Sequence, residues 1–263
     1  MRAFKIAGLT GESPELAALW DLGCLGVQED DDIDGVSVIA YFDTQRELPV
    51  AGTWLELPDT DYVAQYQQTL APIRFGQLVV APTHAKVELA AGEVVLWLDP
   101  GAAFGSGHHE TTGMALAALT RLDLSGRTVL DVGAGSGLLA LAADRLGAEH
   151  TYGVDIDAAT VAVARENGRL NRSRARFAAG TLEVAGAPGH VDVLVANLYA
   201  ELHQSLFADY VKRVLVGGRI ILTGILAARR HLVIGAAPSS ARLVGEATAG
   251  EWLLLEFEVT RAP

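Results

Sequence analysis

The chain has 263 residues, half of them apolar and a fifth charged, so a packed core is easily built, as one large domain or two smaller ones. A formal net charge of −12 argues against a free-standing nucleic-acid binder and suits either a basic partner or plain solubility. A lone cysteine, Cys24, excludes an internal disulfide and a cysteine metal cluster; the first eight residues lack the apolar core of a signal peptide, no run approaches the ~18 apolar residues of a membrane span, and a soluble cytoplasmic protein is expected.

Residues 1–56 read as a small α/β module, a half-open ferredoxin-like sheet. Residues 4–7 form a short strand, and residues 14–22 a helix with Ser13 as N-cap, Pro14 in the first turn, and Leu16, Leu19 and Trp20 on one face. Gly23 and Gly26 end it. Val27, Gln28 and Glu29 lead into an acidic turn over residues 30–35, which serves as a solvated loop or as a contact for a cationic partner. Residues 36–42 alternate as a strand. Residues 57–73 are polar, hold a short helix over 62–70, and form a linker. The larger domain occupies 74–263, and three apolar runs at 78–81, 86–89 and 94–97 read as strands leading into it.

From Asp99 onward, strand-like runs alternate with helical patterns. The strands fall at 128–132, 151–154, 175–178, 191–196, 219–223, 241–245 and 252–259, and the helices at 112–122, 138–146, 158–170 and 200–215. In the last helix Leu202, Leu206, Tyr210 and Val214 recur every four residues, as a buried face requires. This alternation predicts a mostly parallel seven-stranded sheet covered on both faces, with an antiparallel hairpin at its edge.

Three blocks carry chemistry. Gly133, Gly135 and Gly137 follow the strand at 128–132 and open a helix, so a ligand can lie against backbone that no Cβ blocks. A dinucleotide fingerprint needs a further glycine where Leu138 stands, which turns the reading from a nicotinamide cofactor toward a ligand without a diphosphate. Asp155, 22 positions after Gly133, ends the next strand, where a carboxylate can accept both hydroxyls of a ribose. Asp157 caps the helix after it. The second block runs from Asp99 to Thr112 and includes Phe104, Gly105, Ser106, Gly107, His108 and His109. A helix beginning there can hold an anion, although Glu110, Thr111 and Thr112 also suit a plain helix start. His108 and His109 lack a third ligand at sensible spacing, so no metal is assigned. The third block is Asn197-Leu198-Tyr199 at the end of the strand at 191–196, where an open parallel sheet reads its substrate. Capping of the next helix is the other reading of Asn197.

Together these blocks resemble the class I S-adenosylmethionine-dependent methyltransferases, a Rossmann-like α/β fold, and more narrowly the bacterial methyltransferases of large-subunit ribosomal protein eleven. The resemblance spans essentially the whole chain and is most specific in the block from Asp99 to Thr112. Ser106 and Ala134 stand where the family often has threonine and cysteine, changes that keep a hydroxyl and a small residue. The resemblance implies a cofactor site at Thr112, Gly133, Gly135, Asp155 and Asn197, joined by Phe104 and Gly105. Asn197 is the implied catalytic residue, near the transferred methyl group and the substrate amine. It further implies an N-terminal domain that docks the ribosomal protein, and lysine ε-amines and an N-terminal α-amine as targets. A monomer with no nucleic-acid partner is expected.

The implied reaction is direct displacement by a neutral amine. Its nitrogen becomes cationic as it attacks, which calls for aligned acceptors such as the Asn197 side-chain oxygen and the Leu198 carbonyl. Phe104 and Tyr199 serve as an apolar wall or as core. A nucleobase-amine or small-molecule methyltransferase with the same cofactor is the alternative, disfavoured by the absence of proline after Asn197 and by the acidic charge.

Overall fold

The computed structural model describes residues 2–9, 13, 16, 19, 22–24, 26–32, 35–55, 71–98, 109–183 and 189–261. The chain divides into two compact units, Met1–Gln65 and Tyr66–Pro263. No helix among the described residues is long and apolar enough to cross a membrane.

The first unit is an antiparallel sheet of β1 (Arg2–Ala7), β2 (Gly26–Asp32), β3 (Gly35–Phe42) and β4 (Thr53–Leu55), in the order β2-β3-β1-β4. Phe4, Ile6, Val38, Ala40 and Phe42 share its buried face with Leu16 and Leu19, both helical. The Trp54 ring closes this core, 5.0 Å from Phe4 and 5.7 Å from Phe42. Two expectations change here. The expected acidic turn does not begin at Asp30: residues 30–32 belong to β2 and pair with β3 down to Asp32 opposite Gly35, and residues 33 and 34 lie outside the described residues. Pairing with a neighbouring strand overrides the poor strand propensity of aspartate. A complete ferredoxin-like unit would also have a helix between β3 and β4, and residues 43–52 are irregular instead. The linker falls almost wholly outside the described residues, as does Trp20.

The second unit opens with a three-stranded sheet, β5 (Ile73–Phe75), β6 (Leu78–Pro82) and β7 (Val94–Leu98). Residues 86–89 are not a strand. β6 and β7 are parallel neighbours, so the chain between them must cross back, and Leu89 on that crossover is 45% exposed.

The main sheet comprises β8 (Thr128–Val132), β9 (His150–Asp155), β10 (Arg176–Ala179), β11 (Val191–Asn197), β12 (Val214–Leu226), β13 (Ala241–Ala249) and β14 (Trp252–Val259). Its order is β10-β9-β8-β11-β12-β14-β13, parallel from β10 to β12, with β14 reversed between β12 and β13. Among the described residues five α-helices serve this unit: α1 (Glu110–Thr120), α2 (Leu138–Arg145), α3 (Ala158–Leu170), α4 (Ala200–Arg213) and α5 (Arg230–Ala236). Neighbouring residues along each strand point to opposite faces. Val129 and Val195 therefore pack in the layer with Leu116, Leu119 and Leu141 of α1 and α2. Leu130 and Leu194 pack in the other, with Phe207 and Tyr210 of α4.

The buried stripe of α4 differs from the expected one. It is Ala200, His203, Phe207, Tyr210 and Val211, while Leu202 is 45% exposed. Spacings of three and four both satisfy a helix, and the true stripe contains a histidine that an apolar count passes over.

Strand order reverses between β8 and β11, the switch point where the loops beyond two parallel strands diverge and leave a crevice. Val132, the last residue of β8, lies opposite Ala196, so the glycine turn and Asn197 emerge side by side.

Candidate active site

The glycine turn is built from residues that only glycine tolerates easily: φ is +72° at Gly133, +54° at Gly135 and +83° at Gly137. It is tied to the next strand by Gly133 and Ala134 backbone N–H groups that donate to the Val154 carbonyl at 2.9 and 3.0 Å. The Gly135 N–H donates to Asp155 Oδ2 at 2.9 Å, and the Asp157 N–H to Asp155 Oδ1 at 3.0 Å. The carboxylate at the end of β9 is thus held from two sides at the rim of the turn. Asp157 caps α3 as expected, accepting the Ala159 N–H at 2.8 Å, and that bond together with the Thr160 hydroxyl holds its carboxyl below the usual range. Leu138, where a dinucleotide fingerprint would need glycine, is buried as the first residue of α2.

Thr112 and Asn197, 85 positions apart, meet here: the Asn197 Nδ2 donates to Thr112 Oγ1 at 3.2 Å. This settles two readings left open by the sequence. Asn197 does not cap α4, whose N-cap is Tyr199, and Thr112 does not cap α1, whose N-cap is His109. With its amide nitrogen engaged, Asn197 turns its oxygen elsewhere. His109 bonds Thr111 Oγ1 at 2.8 Å and packs edge-on to Trp252. Tyr199 is 71% exposed and therefore not part of the core. Phe104, Gly105 and His108 lie outside the described residues.

Leu198 sits between the two halves of the site. A Cβ on Gly133 would lie 2.5 Å from Leu198 Cδ2, so the leucine side chain rests on the bare backbone of the turn. On the far side is Gly224 of β12, with φ +80°. A Cβ there would lie 2.5 Å from the Leu198 carbonyl oxygen and 2.8 Å from Asn197 Oδ1. Those two oxygens therefore both lie against Gly224, a pair of acceptors on one side of the strand.

Two buried groups escaped the sequence reading. Asp131 interrupts the apolar run of β8, is fully buried, and accepts the Ala140 N–H at 3.1 Å through Oδ2, while its Oδ1 has no partner. Burial, with Asp155 adding like charge, pushes its carboxyl up to about 7. His203 lies wholly inside, and burial lowers it to about 4 despite the carbonyls of Thr223 and Leu198 that face it. A charged or titratable residue within an apolar strand or stripe was the available signal for both.

A mostly parallel sheet with one reversed strand slotted in near its edge, and a glycine turn and rim carboxylate at its switch point, defines the class I S-adenosylmethionine-dependent methyltransferases. Within that class the sequence matches the description of one family over residues 17–260. The chain belongs to the ribosomal protein L11 methyltransferase (PrmA) family. It is 43% identical over 257 residues to the ribosomal protein L11 methyltransferase of Deinococcus radiodurans, covering 91% of this chain and 92% of that protein. To the Thermus thermophilus protein of the same name it is 42% identical over 260 residues, covering 98% and 99%. The crystal structure of the ribosomal protein L11 methylase of Lactobacillus delbrueckii subsp. bulgaricus superposes with a TM-score of 0.65 at 28% identity, covering 73% of this chain and all of that one.

Proposed function

We propose that this enzyme transfers methyl groups from S-adenosylmethionine to lysine ε-amines and to the N-terminal amine of ribosomal protein L11. The observation that carries the reading is the acceptor pair of Asn197 and Leu198 against Gly224, with the Asn197 amide held by its bond to Thr112.

The cofactor fits the residues present. The turn at Gly133 and Gly135 offers backbone without side chains, and Asp155, fixed by two N–H groups, offers its remaining lone pairs to a ribose diol. Thr112 stands at the start of α1 for the methionine end, and the family resemblance adds Phe104 and Gly105, which lie outside the described residues, to the cofactor set. When bound, the cofactor supplies an electrophilic methyl on its sulfonium. Asn197 and the Leu198 carbonyl accept N–H bonds from the incoming amine, which aims its lone pair and favours the positive charge it acquires. Free lysine has a pKa of about 10.4 and is mostly protonated at neutral pH. Desolvation against Leu198 and Tyr199 favours the neutral amine, and water carries the released proton away.

Residues 1–56 serve as the substrate-recognition domain, 57–73 as the linker and 74–263 as the methyltransferase domain. Charge supports this division. Residues 1–65 hold 13 acidic and 3 basic side chains, a net of −10, whereas residues 66–263 hold 19 and 17, a net of −2. A lysine-bearing basic substrate is steered to the acidic unit. The enzyme acts in the cytoplasm, as a monomer and without a nucleic-acid partner. Incubation with the cofactor and purified L11, followed by mass spectrometry of the peptides, tests the proposal. Methyl groups on lysines and the N-terminal amine are the expected result; an unmodified L11 in the presence of bound cofactor would refute it.

A further inference from the structure

His203 stands directly behind the acceptor pair. Its Nε2 lies 2.8 Å from the Thr223 carbonyl and its Nδ1 3.4 Å from the Tyr210 hydroxyl, and the Leu198 carbonyl also faces the ring. A carbonyl only accepts, so the ring proton sits on Nε2, and Nδ1 accepts from Tyr210. Neutral imidazole, enforced by burial, keeps this arrangement through the physiological range.

The Thr223 carbonyl has a second donor, the Leu198 backbone N–H at 3.0 Å. One oxygen of β12 therefore anchors both the acceptor loop and the first turn of α4. The His203 N–H donates in turn to the Tyr199 carbonyl at 3.1 Å, closing the segment on itself. Gly133 and Gly224 leave Leu198 no slack on its other sides. The direction of the Leu198 carbonyl and the Asn197 amide is then set where His203 grips the loop.

We propose that His203 is a positioning residue for the target amine: its Nε2–H, through the Thr223 carbonyl, orients the Asn197 and Leu198 acceptors. This rests on the reading of that pair as the amine's acceptors. A histidine that only fills the core would act through its bulk and not through its donor.

His203→Leu keeps most of the bulk and removes the donor, whereas His203→Gln returns an N–H at the reach of Nε2. In the full-length enzyme, His203→Leu should lower kcat about 10- to 100-fold at saturating cofactor and L11, as misplacement of a reacting group by a fraction of an ångström to 1 Å does. The Kd for S-adenosylhomocysteine should stay within about 2-fold, because the turn and Asp155 are untouched. Amide hydrogen exchange at Leu198 should accelerate about 10-fold or more without change in β8 and α2. His203→Gln should recover most of both effects. Equal losses in the two variants, or a His203→Leu enzyme with parental kcat and exchange, would overturn the inference. If His203→Leu does not fold, Tyr210→Phe takes its place, with the same exchange readout and a several-fold fall in kcat expected; parental values would overturn the inference. Asn197→Ala, measured alongside, separates the two levels. Retained turnover there refutes the acceptor reading, and exchange at Leu198 then decides the role of His203 by itself.

Discussion

Gly224→Ala probes how tightly the acceptor loop is seated. At φ +80° an alanine carries a left-handed cost of about 1–2 kcal/mol. Its Cβ would fall 2.5 Å from the Leu198 oxygen, 2.8 Å from Asn197 Oδ1 and 3.0 Å from the Leu198 carbonyl carbon, against an ordinary contact of 3.4 Å or more. The nearest obstacle, the Leu198 carbonyl, is backbone, so side-chain rotation alone does not relieve the clash, and overpacking of this kind adds about 1–3 kcal/mol. Gly224 already sits at a break in the register between β12 and β14, from Leu222 to Ile225, where the strand bulges. The loop is the softer partner and should yield by roughly half an ångström or more, a displacement that can cost up to about 100-fold in rate. We expect a single-turnover methyl-transfer rate about 10- to 100-fold below the parent, with a melting temperature several degrees lower and S-adenosylhomocysteine binding largely retained. A folded Gly224→Ala enzyme within about twofold of the parental rate would refute the reasoning, since it would show that the position of the two oxygens does not limit transfer.

Other outcomes follow from the same geometry. Asn197→Ala should depress methyl transfer far more than cofactor affinity measured by calorimetry; equal losses would make Asn197 a cofactor or structural residue. Asp155→Ala should do the reverse, weakening cofactor binding first, and unchanged affinity would remove Asp155 from the ribose role. Asp131 is protonated up to about pH 7 in the folded chain, against 3.8 as the ordinary carboxyl value, so its contribution is most favourable below about pH 4 and is lost as pH rises through 7. Asp131→Asn should therefore match the parent in thermal melts near pH 4, grow relatively more stable up to pH 7, and level off above; a gap that does not vary with pH would contradict the assignment. Removal of residues 1–56 should leave cofactor binding intact and abolish methylation of L11, and the parental KM for L11 should rise with salt as screening weakens the acidic unit's attraction. A salt-independent KM would argue against electrostatic docking.

The parts legible in the sequence were those written in local period and local backbone need. The strand, glycine turn and helix from Val129 onward can be read because apolar runs mark the elements and three residues with positive φ mark the turn. Asp155 was legible because it falls where the next strand must end. The Thr112–Asn197 bond was not, because it joins residues 85 apart and depends on how α1 leans against β11. His203 was hidden by the stripe through Leu202 and Leu206, which fits the helical spacing equally well until the sheet selects a face. The acidic end of β2 and the exposed run at 86–89 fail for the same reason: strand formation depends on a partner, and a partner is a property of the tertiary fold.

Leu198 rests its side chain on Gly133, and its carbonyl crowds Gly224. On the proposed reading of the site, the surface that receives the donor molecule and the surface that receives the acceptor molecule are opposite ends of one amino acid. On that reading, a shift of the turn on ligation would move the amine's seat, and by linkage each ligand's affinity would carry a trace of the other's presence. It also means that Gly133, Leu198 and Gly224, separated widely in the chain, are not free to vary one at a time. Enlarging either glycine calls for a smaller residue at 198, so the three behave as a single heritable unit whose substitutions combine non-additively.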